Sequence, residues 1–274
     1  MPDLCILAIN LDRSTDRWER IEEGFSKLPW PLERIRAVDA LDVEQTLEFR
    51  RQRFDLPPNA LGWSMPRRRA FTVVEEACLC SHLKALRRFL ETPMSHALIL
   101  EDDAVPQNGI VAFLQGVIDH LQPHQLLKMS GKARTGSRLA IVERSVERFR
   151  IVRSFQPTSN AGAYLVGREA AEALLTRIGK LLIPYDDYLS APRLHGCEVL
   201  QVAPWPVVCS GMKSTMGPLR NSSRHVKLRA APSLVIQAFR RASLRVFAWG
   251  SAARWSPFNL LQIRGVPWHR VEGD

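Results

Sequence analysis

Apolar residues fall into short unbroken runs separated by longer segments with helical spacing. Residues 4–9, Leu-Cys-Ile-Leu-Ala-Ile, form the first such run and read as a strand buried on both faces. Ser14 or Thr15 can cap a helix that follows through about residue 28, with Trp18, Ile21 and Phe25 on one face; Pro29 and Pro31 stop it. Residues 35–38 predict a second strand ended by Asp39. This β-α-β order favours a parallel sheet with right-handed crossovers. A helix is expected over residues 72–90, where Ala77, Cys80, Leu83, Leu86 and Leu90 recur at near-helical spacing. Residues 97–100 form another buried strand. An amphipathic helix over 110–121, broken by Pro123, and a strand over 125–129 come next. Residues 139–143 and 149–153 predict a hairpin at the sheet's edge. Small residues from Thr158 lead into a strand ending near Gly167, a helix follows over 168–178, and a strand spans 199–203. Pro204-Trp205-Pro206-Val207-Val208 is expected to lead out of the domain. The pattern as a whole predicts an α/β fold.

Two segments interrupt this regularity. A short helix is plausible over 43–53, and Pro57, Pro58, Gly62 and Pro66 then mark a long loop carrying Arg67-Arg68-Arg69. That triplet is either a solvated basic patch or a contact for a diphosphate or acidic acceptor. From Leu219 to Arg270 ten Lys and Arg residues occur without one Asp or Glu, interleaved with Leu234, Val235, Ile236, Phe239, Leu244, Phe247 and Trp249. The 274-residue chain has a formal net charge of +10, and this tail accounts for the excess. Such asymmetry points to a polyanionic surface, and the interleaving to a basic amphipathic helix on an anionic bilayer or packed on the main domain. We therefore expect a domain over 1–218 and a basic amphipathic helical extension over 219–274.

No apolar run is long enough to span a bilayer, and Met1-Pro2-Asp3 lacks the basic region of a signal peptide. The five cysteines are odd in number and lie mostly in apolar segments, which fits a reduced, cytoplasmic setting. Cys78-Leu79-Cys80 lacks the two-residue spacer of a usual zinc pair and reads as core packing.

The chemistry concentrates after the strand at 97–100, where Glu101, Asp102 and Asp103 follow one another. Three carboxylates at a strand's end repel one another and resist desolvation unless something positive joins them. A divalent cation carrying a phosphate-bearing substrate meets that need, and hard oxygen ligands suit Mg²⁺ or Mn²⁺. A solvated acidic turn is the plain alternative. A second acidic pair, Asp186-Asp187, lies between Tyr185 and Tyr188. His82 is either a satisfied core histidine or a polar group near the strand end. His195 or His225 could complete a metal shell, and spacing selects neither.

Four stretches, in order, resemble glycosyltransferase family 25, which includes bacterial lipopolysaccharide and lipooligosaccharide galactosyltransferases. Ile9-Asn10-Leu11-Asp12-Arg13-Ser14-Thr15-Asp16-Arg17 resembles the family's I-N-L-x-R-x-x-D-R. Ala77-Cys78-Leu79-Cys80-Ser81-His82 resembles G-C-x-x-S-H, with Ala77 in the glycine position. Leu98-Ile99-Leu100-Glu101-Asp102-Asp103 resembles L-I-L-E-D-D. Ala161-Gly162-Ala163-Tyr164-Leu165-Val166, followed by Pro184-Tyr185-Asp186, resembles x-G-x-Y-L-I and P-x-D. The resemblance spans residues 6–208 and leaves the tail uncovered.

It implies a glycosyltransferase-A-like fold, a mostly parallel sheet flanked by helices. It further implies a nucleotide-sugar donor (UDP-galactose foremost), a divalent metal, inversion at the anomeric carbon, and a glycan or glycolipid acceptor. Asn10, Arg13, Arg17, Ser81, His82 and Asp102 would then contact the donor. Asp103, with Glu101, would hold Mn²⁺ or Mg²⁺, and Asp186, or failing it Asp187, would be the general base. The basic tail fits an acceptor on a lipid at the cytoplasmic leaflet, and no nucleic-acid partner is expected. Two rivals use the same residues: a metal-dependent nuclease or phosphotransferase, and a non-enzymatic protein whose tail grips nucleic acid.

Overall fold

The computed structural model describes residues 4–42, 44, 72–131, 137–154, 157–179, 183–210 and 263–267. The helix expected over 43–53, the Arg67-Arg68-Arg69 triplet and His225 lie outside these residues. So does the tail beyond 218, except for residues 263–267.

The chain opens with β1 (Leu4–Asn10), every residue of which is buried. Its side chains divide by the twofold period of a strand. Cys5, Leu7 and Ile9 enter one core, and Leu4, Ile6 and Ala8 the other. Helix α1 (Thr15–Phe25) packs Ile21 and Phe25 into the second core. Its N-cap Ser14 makes no side-chain cap bond; its carbonyl accepts from Asn10 Nδ2 instead, at 3.0 Å. Strand β2 (Leu32–Arg36) pairs parallel with β1 and so realises the β-α-β unit. It begins three residues before the expected start, because it is an edge strand with one fully buried side chain, Ile35.

Helix α2 (Val73–Glu91) begins with a capping box in which Thr72 Oγ1 accepts from the Glu75 backbone and the Glu75 carboxylate from Thr72. It lies against the first core through Leu79, Leu83, Leu86 and Phe89. Strand β3 (His96–Glu101) pairs parallel with β1 and alternates in the same way. Next come β4 (Ala104–Pro106), α3 (Ile110–Ile118) and β5 (Gln125–Lys128). Helix α3 starts after Gly109, whose φ of 80° favours glycine. The expected hairpin is β6 (Ser137–Val146) with β7 (Phe149–Ser154). Strand β8 (Ala163–Gly167) leads directly into α4 (Arg168–Ile178), and the short helices α5 (Tyr185–Leu189) and α6 (Pro192–His195) precede β9 (Glu198–Ala203).

Among the described residues nine strands form one sheet in the order β11-β6-β7-β9-β5-β8-β3-β1-β2, where β11 is Ile263–Pro267. With helices over both faces this is an α/β fold, as the pattern predicts and as a glycosyltransferase-A-like domain requires. Parallel pairing joins β2, β1 and β3, and again β5 with β9; β8, β7, β6 and β11 enter antiparallel. Residues 263–267, from the segment read as an extension, pair with β6 as an edge strand of this sheet.

One segment departs from expectation. Residues 207–209 do not lead away. They form β10 (Val207–Cys209), which pairs antiparallel with β4, and the Ser210 backbone N–H donates to the Asp103 carbonyl at 2.8 Å. Three-residue strands are too short for periodicity to register. The ribbon clasps the chain just after the acidic cluster.

Candidate active site

The carboxyl ends of β1, β3 and β5 and the start of β8 meet at one edge of the sheet, where α/β folds bind ligands. Strand β1 delivers Asn10 there and β3 delivers Glu101, with Asp102 and Asp103 in the turn before β4.

The three acids have different partners. Asp102 is held by Arg17 Nη1 on Oδ1 at 2.7 Å and by Asn10 Nδ2 on Oδ2 at 3.2 Å. Asn10 is fully buried, and its Oδ1 accepts from Arg34 at 2.7 and 2.9 Å. Burial raises the Asp102 carboxyl above its ordinary pKa, against the pull of Arg17 and Asn10. Glu101 turns to His82, whose Nε2 lies 3.2 Å from Oε1. Asp103 is held differently: the Cys209 thiol bonds its carboxylate, while its Oδ1 is buried without a hydrogen-bond partner. Burial, with Glu101 and Asp102 beside it, pushes its carboxyl up to about 6. A buried orphan oxygen repelled by two neighbouring acids is what a hard divalent cation relieves. The donor set at Asp103 and Glu101 therefore fits Mg²⁺ or Mn²⁺.

The Arg17–Asp102 pair is nearly dry, its side chains 8% and 14% exposed. Removing one partner leaves an uncompensated buried charge. Arg17→Met is expected to destabilise the protein by about 3 kcal/mol, measured by urea unfolding. A loss below about 0.5 kcal/mol would mean that water reaches the pair after all.

The remaining donor-side candidates divide. Arg13 forms an ion pair with Asp39 at the mouth of the sheet. Ser81 is 3% exposed; its hydroxyl donates to the Ala77 carbonyl at 2.7 Å and accepts from the Val38 backbone at 2.9 Å. It pins α2 to the segment after β2. His82 is 1% exposed, stacks on Tyr185 with centroids 4.2 Å apart, and places Nδ1 3.3 Å from the Tyr164 hydroxyl. That hydroxyl is 2.9 Å from the hydroxyl of Tyr185.

Tyr185 opens α5, so this chain of rings ties the first acidic cluster to the second. Ser159 Oγ lies 2.9 Å from both Asp186 Oδ2 and Asp187 Oδ1, and the Asp187 backbone donates to Asp186 Oδ1 at 2.9 Å. Ser159 belongs to the loop entering β8, where Asn160 Oδ1 accepts from Ser130 at 2.6 Å and from the Gly162 backbone at 2.9 Å. A Cβ on Gly162 would lie 3.2 Å from Ser130 Oγ and 3.5 Å from Cys209 Sγ, so a side chain here would press on Ser130. Residues read as small because backbone must come close to something are here close to β5 and β10.

Sequence reasoning passed over Lys128. Its side chain is fully buried, and its ammonium donates to the Thr158 carbonyl and to Ser190 Oγ, the latter at 2.5 Å. Ser190 Oγ in turn lies 2.8 Å from the carbonyls of Thr158 and Asp186. Lys128 thus ties the end of α5, which carries Asp186 and Asp187, to the loop that carries Ser159. The signal was a lysine at the end of an apolar strand, Gln125-Leu126-Leu127-Lys128.

Burial lowers the Lys128 pKa from 10.5 to about 7, offset in part by Asp186 and Asp187. Between those values the unfolded chain binds the proton and the native one releases it, so this group makes stability fall as pH falls from 10.5 toward 7. Lys128→Met should remove that contribution, at most about 1.4 kcal/mol per pH unit. Parallel pH–stability curves for the two proteins would contradict the burial argument.

His195 is wholly buried against Tyr188 and lies in the first core's helical layer, where burial drives its pKa down to about 4. It accepts from the Cys197 backbone at 3.1 Å. The metal-capable grouping found among the described residues contains Cys78, His82 and Glu101 instead.

The architecture and the acidic edge describe an α/β protein with a ligand-binding edge at the strand ends. The chain belongs to glycosyltransferase family 25 (LPS biosynthesis protein), whose model matches residues 4–189. It is thus a glycosyltransferase, with a sugar donor and a glycan acceptor. A search of curated proteins finds no match. Among solved structures, a glycosyltransferase involved in the glycosylation of the major capsid of PBCV-1 is similar at 14% identity. That match has a TM-score of 0.42 and covers 78% of this chain and 95% of the other. A mannose-1-phosphate geranyltransferase from Thermus thermophilus is similar at 12% identity and a TM-score of 0.30, with 73% of each chain covered. No described helix is long and apolar enough to cross a membrane.

Proposed function

We propose that this glycosyltransferase is an inverting, metal-dependent hexosyltransferase. It moves a hexose, galactose foremost, from a UDP-sugar to a lipopolysaccharide- or lipooligosaccharide-type glycan. The observation that carries this reading is the unequal pairing of the acidic cluster. Arg17 and Asn10 occupy Asp102, while Asp103 keeps a buried, unpartnered oxygen at the sheet's ligand edge.

Asp103, with Glu101, holds the cation, and Asp102 is locked in position to meet the donor's ribose. When bound, the cation supplies Lewis-acid stabilisation of the departing diphosphate. Asp186 accepts the acceptor hydroxyl's proton as that oxygen bonds to the anomeric carbon and the bond to the UDP oxygen breaks. Ser159 and the Asp187 backbone orient the Asp186 carboxylate for this role. The separation of roles is supported by position, since one acidic pair follows β3 and the other rides on α5. The basic stretch over 219–270 would hold the enzyme near an anionic cytoplasmic leaflet that displays the acceptor.

The test is a panel of UDP-sugars with and without Mn²⁺ or Mg²⁺, following UDP release. Metal-dependent release from one sugar is expected, with UDP-galactose first. Silence toward every UDP-sugar, combined with metal-dependent binding of DNA or RNA, would replace this reading by the nuclease one.

A further inference from the structure

Two letters of the helix motif, Cys78 and His82, are not needed to explain the cation site at Asp103. They lie one turn apart on the same face of α2, facing the end of β3. One ligand atom each from Cys78, His82 and Glu101 lie within 4.8 Å of one another. We propose that these three side chains form a site for a thiophilic divalent cation of the zinc class, adjacent to the hard-cation site and sharing Glu101 with it.

Three observations support the site. First, the donors are sulfur, imidazole nitrogen and carboxylate oxygen, a combination that suits zinc and its analogues and discriminates against Mg²⁺. Around one ion at about 2.0–2.3 Å such atoms stand roughly 3–4 Å apart, and His82 Nε2 already lies 3.2 Å from Glu101 Oε1. Second, the imidazole is oriented in advance. Its Nδ1 faces the Tyr164 hydroxyl at 3.3 Å, and the Tyr185 ring stacks on it at an interplanar angle of 11°. A partner on the far nitrogen is the usual outer support of a metal-bound histidine. Third, the site is open on one side. The His82 side chain is 1% exposed, whereas that of Glu101 is 35% exposed, so the Glu101 side leaves a fourth position toward solvent. None of this requires sugar transfer, so failure of the glycosyltransferase mechanism above would leave the site standing.

The experiment is titration of the full chain with Co²⁺ as a spectroscopic stand-in for zinc, with excess Mg²⁺ present to fill the hard site. A thiolate-to-metal charge-transfer band is expected to saturate at one ion per chain and to be bleached by Zn²⁺. Cys78→Ser should abolish the band and weaken Zn²⁺ binding roughly 100-fold, with an unchanged circular dichroism spectrum. His82→Gln should weaken Zn²⁺ binding comparably. Cys209→Ser, which alters the exposed thiol bonded to the Asp103 carboxylate, should keep the band. Absence of the band in the folded wild-type chain, or its survival in Cys78→Ser, would overturn the proposal.

Discussion

Asp103→Asn is expected to lower turnover by about 10²–10⁴-fold without lowering the unfolding midpoint. A cation acting as Lewis acid is worth several kcal/mol in the transition state, and each 1.36 kcal/mol is tenfold in rate. Asparagine keeps the shape but gives up the negative charge that holds the cation. The fold should not suffer, because burial and two neighbouring acids already disfavour the ionised Asp103 carboxyl. The amide removes that repulsion, so stability at neutral pH should stay level or rise slightly. Steady-state kinetics and thermal unfolding on one preparation decide the matter. Full turnover in the variant would remove Asp103 from the mechanism.

Asp186→Asn should cost a similar factor, about 10²–10⁴ in kcat, while the donor KM changes little. In the proposed mechanism the base acts on the acceptor hydroxyl, whereas the donor's phosphates would meet the other acidic cluster. Asp187→Asn should cost far less. Both carboxylates rest on Ser159, and Asp186 also accepts from the Asp187 backbone, which fixes its plane. If Asp187→Asn proves the crippled variant and Asp186→Asn the mild one, the base is the neighbour. An unchanged kcat in both would move the base elsewhere.

Much of this arrangement was legible in the chain. The runs at 4–9 and 97–100 read as strands because both faces are buried and no polar residue interrupts them. Helix α4 was placed at residues 168–178, its observed bounds, because period and flanking glycines agree. The acidic cluster announced itself by the cost of three adjacent carboxylates. The division of labour within it was not legible. It depends on Arg17 reaching Asp102 from α1 and on His82 reaching Glu101 from α2, contacts set by register across β1 and β3.

The β4–β10 ribbon escaped because three residues carry no period. Lys128 escaped because a single lysine in an apolar strand is ordinarily read as a strand's polar end. Only the fold shows its ammonium bonded to the Thr158 carbonyl and Ser190 and within electrostatic reach of Asp186 and Asp187. Ser81 and His82 share one motif yet serve different ends, the first bonded to backbone at Val38 and the second facing the site. Single-sequence spacing treats them alike.

In the proposed mechanism the turn after β3 holds the cation that carries the donor's diphosphate. Electron paramagnetic resonance of Mn²⁺ with the purified chain, with and without UDP, tests this step. One bound Mn²⁺ per chain is expected, held more tightly in the presence of UDP, with loss of that binding in Asp103→Asn. Mn²⁺ that stays free with UDP present, or that binds the Asp103→Asn chain as well as the wild type, would contradict it.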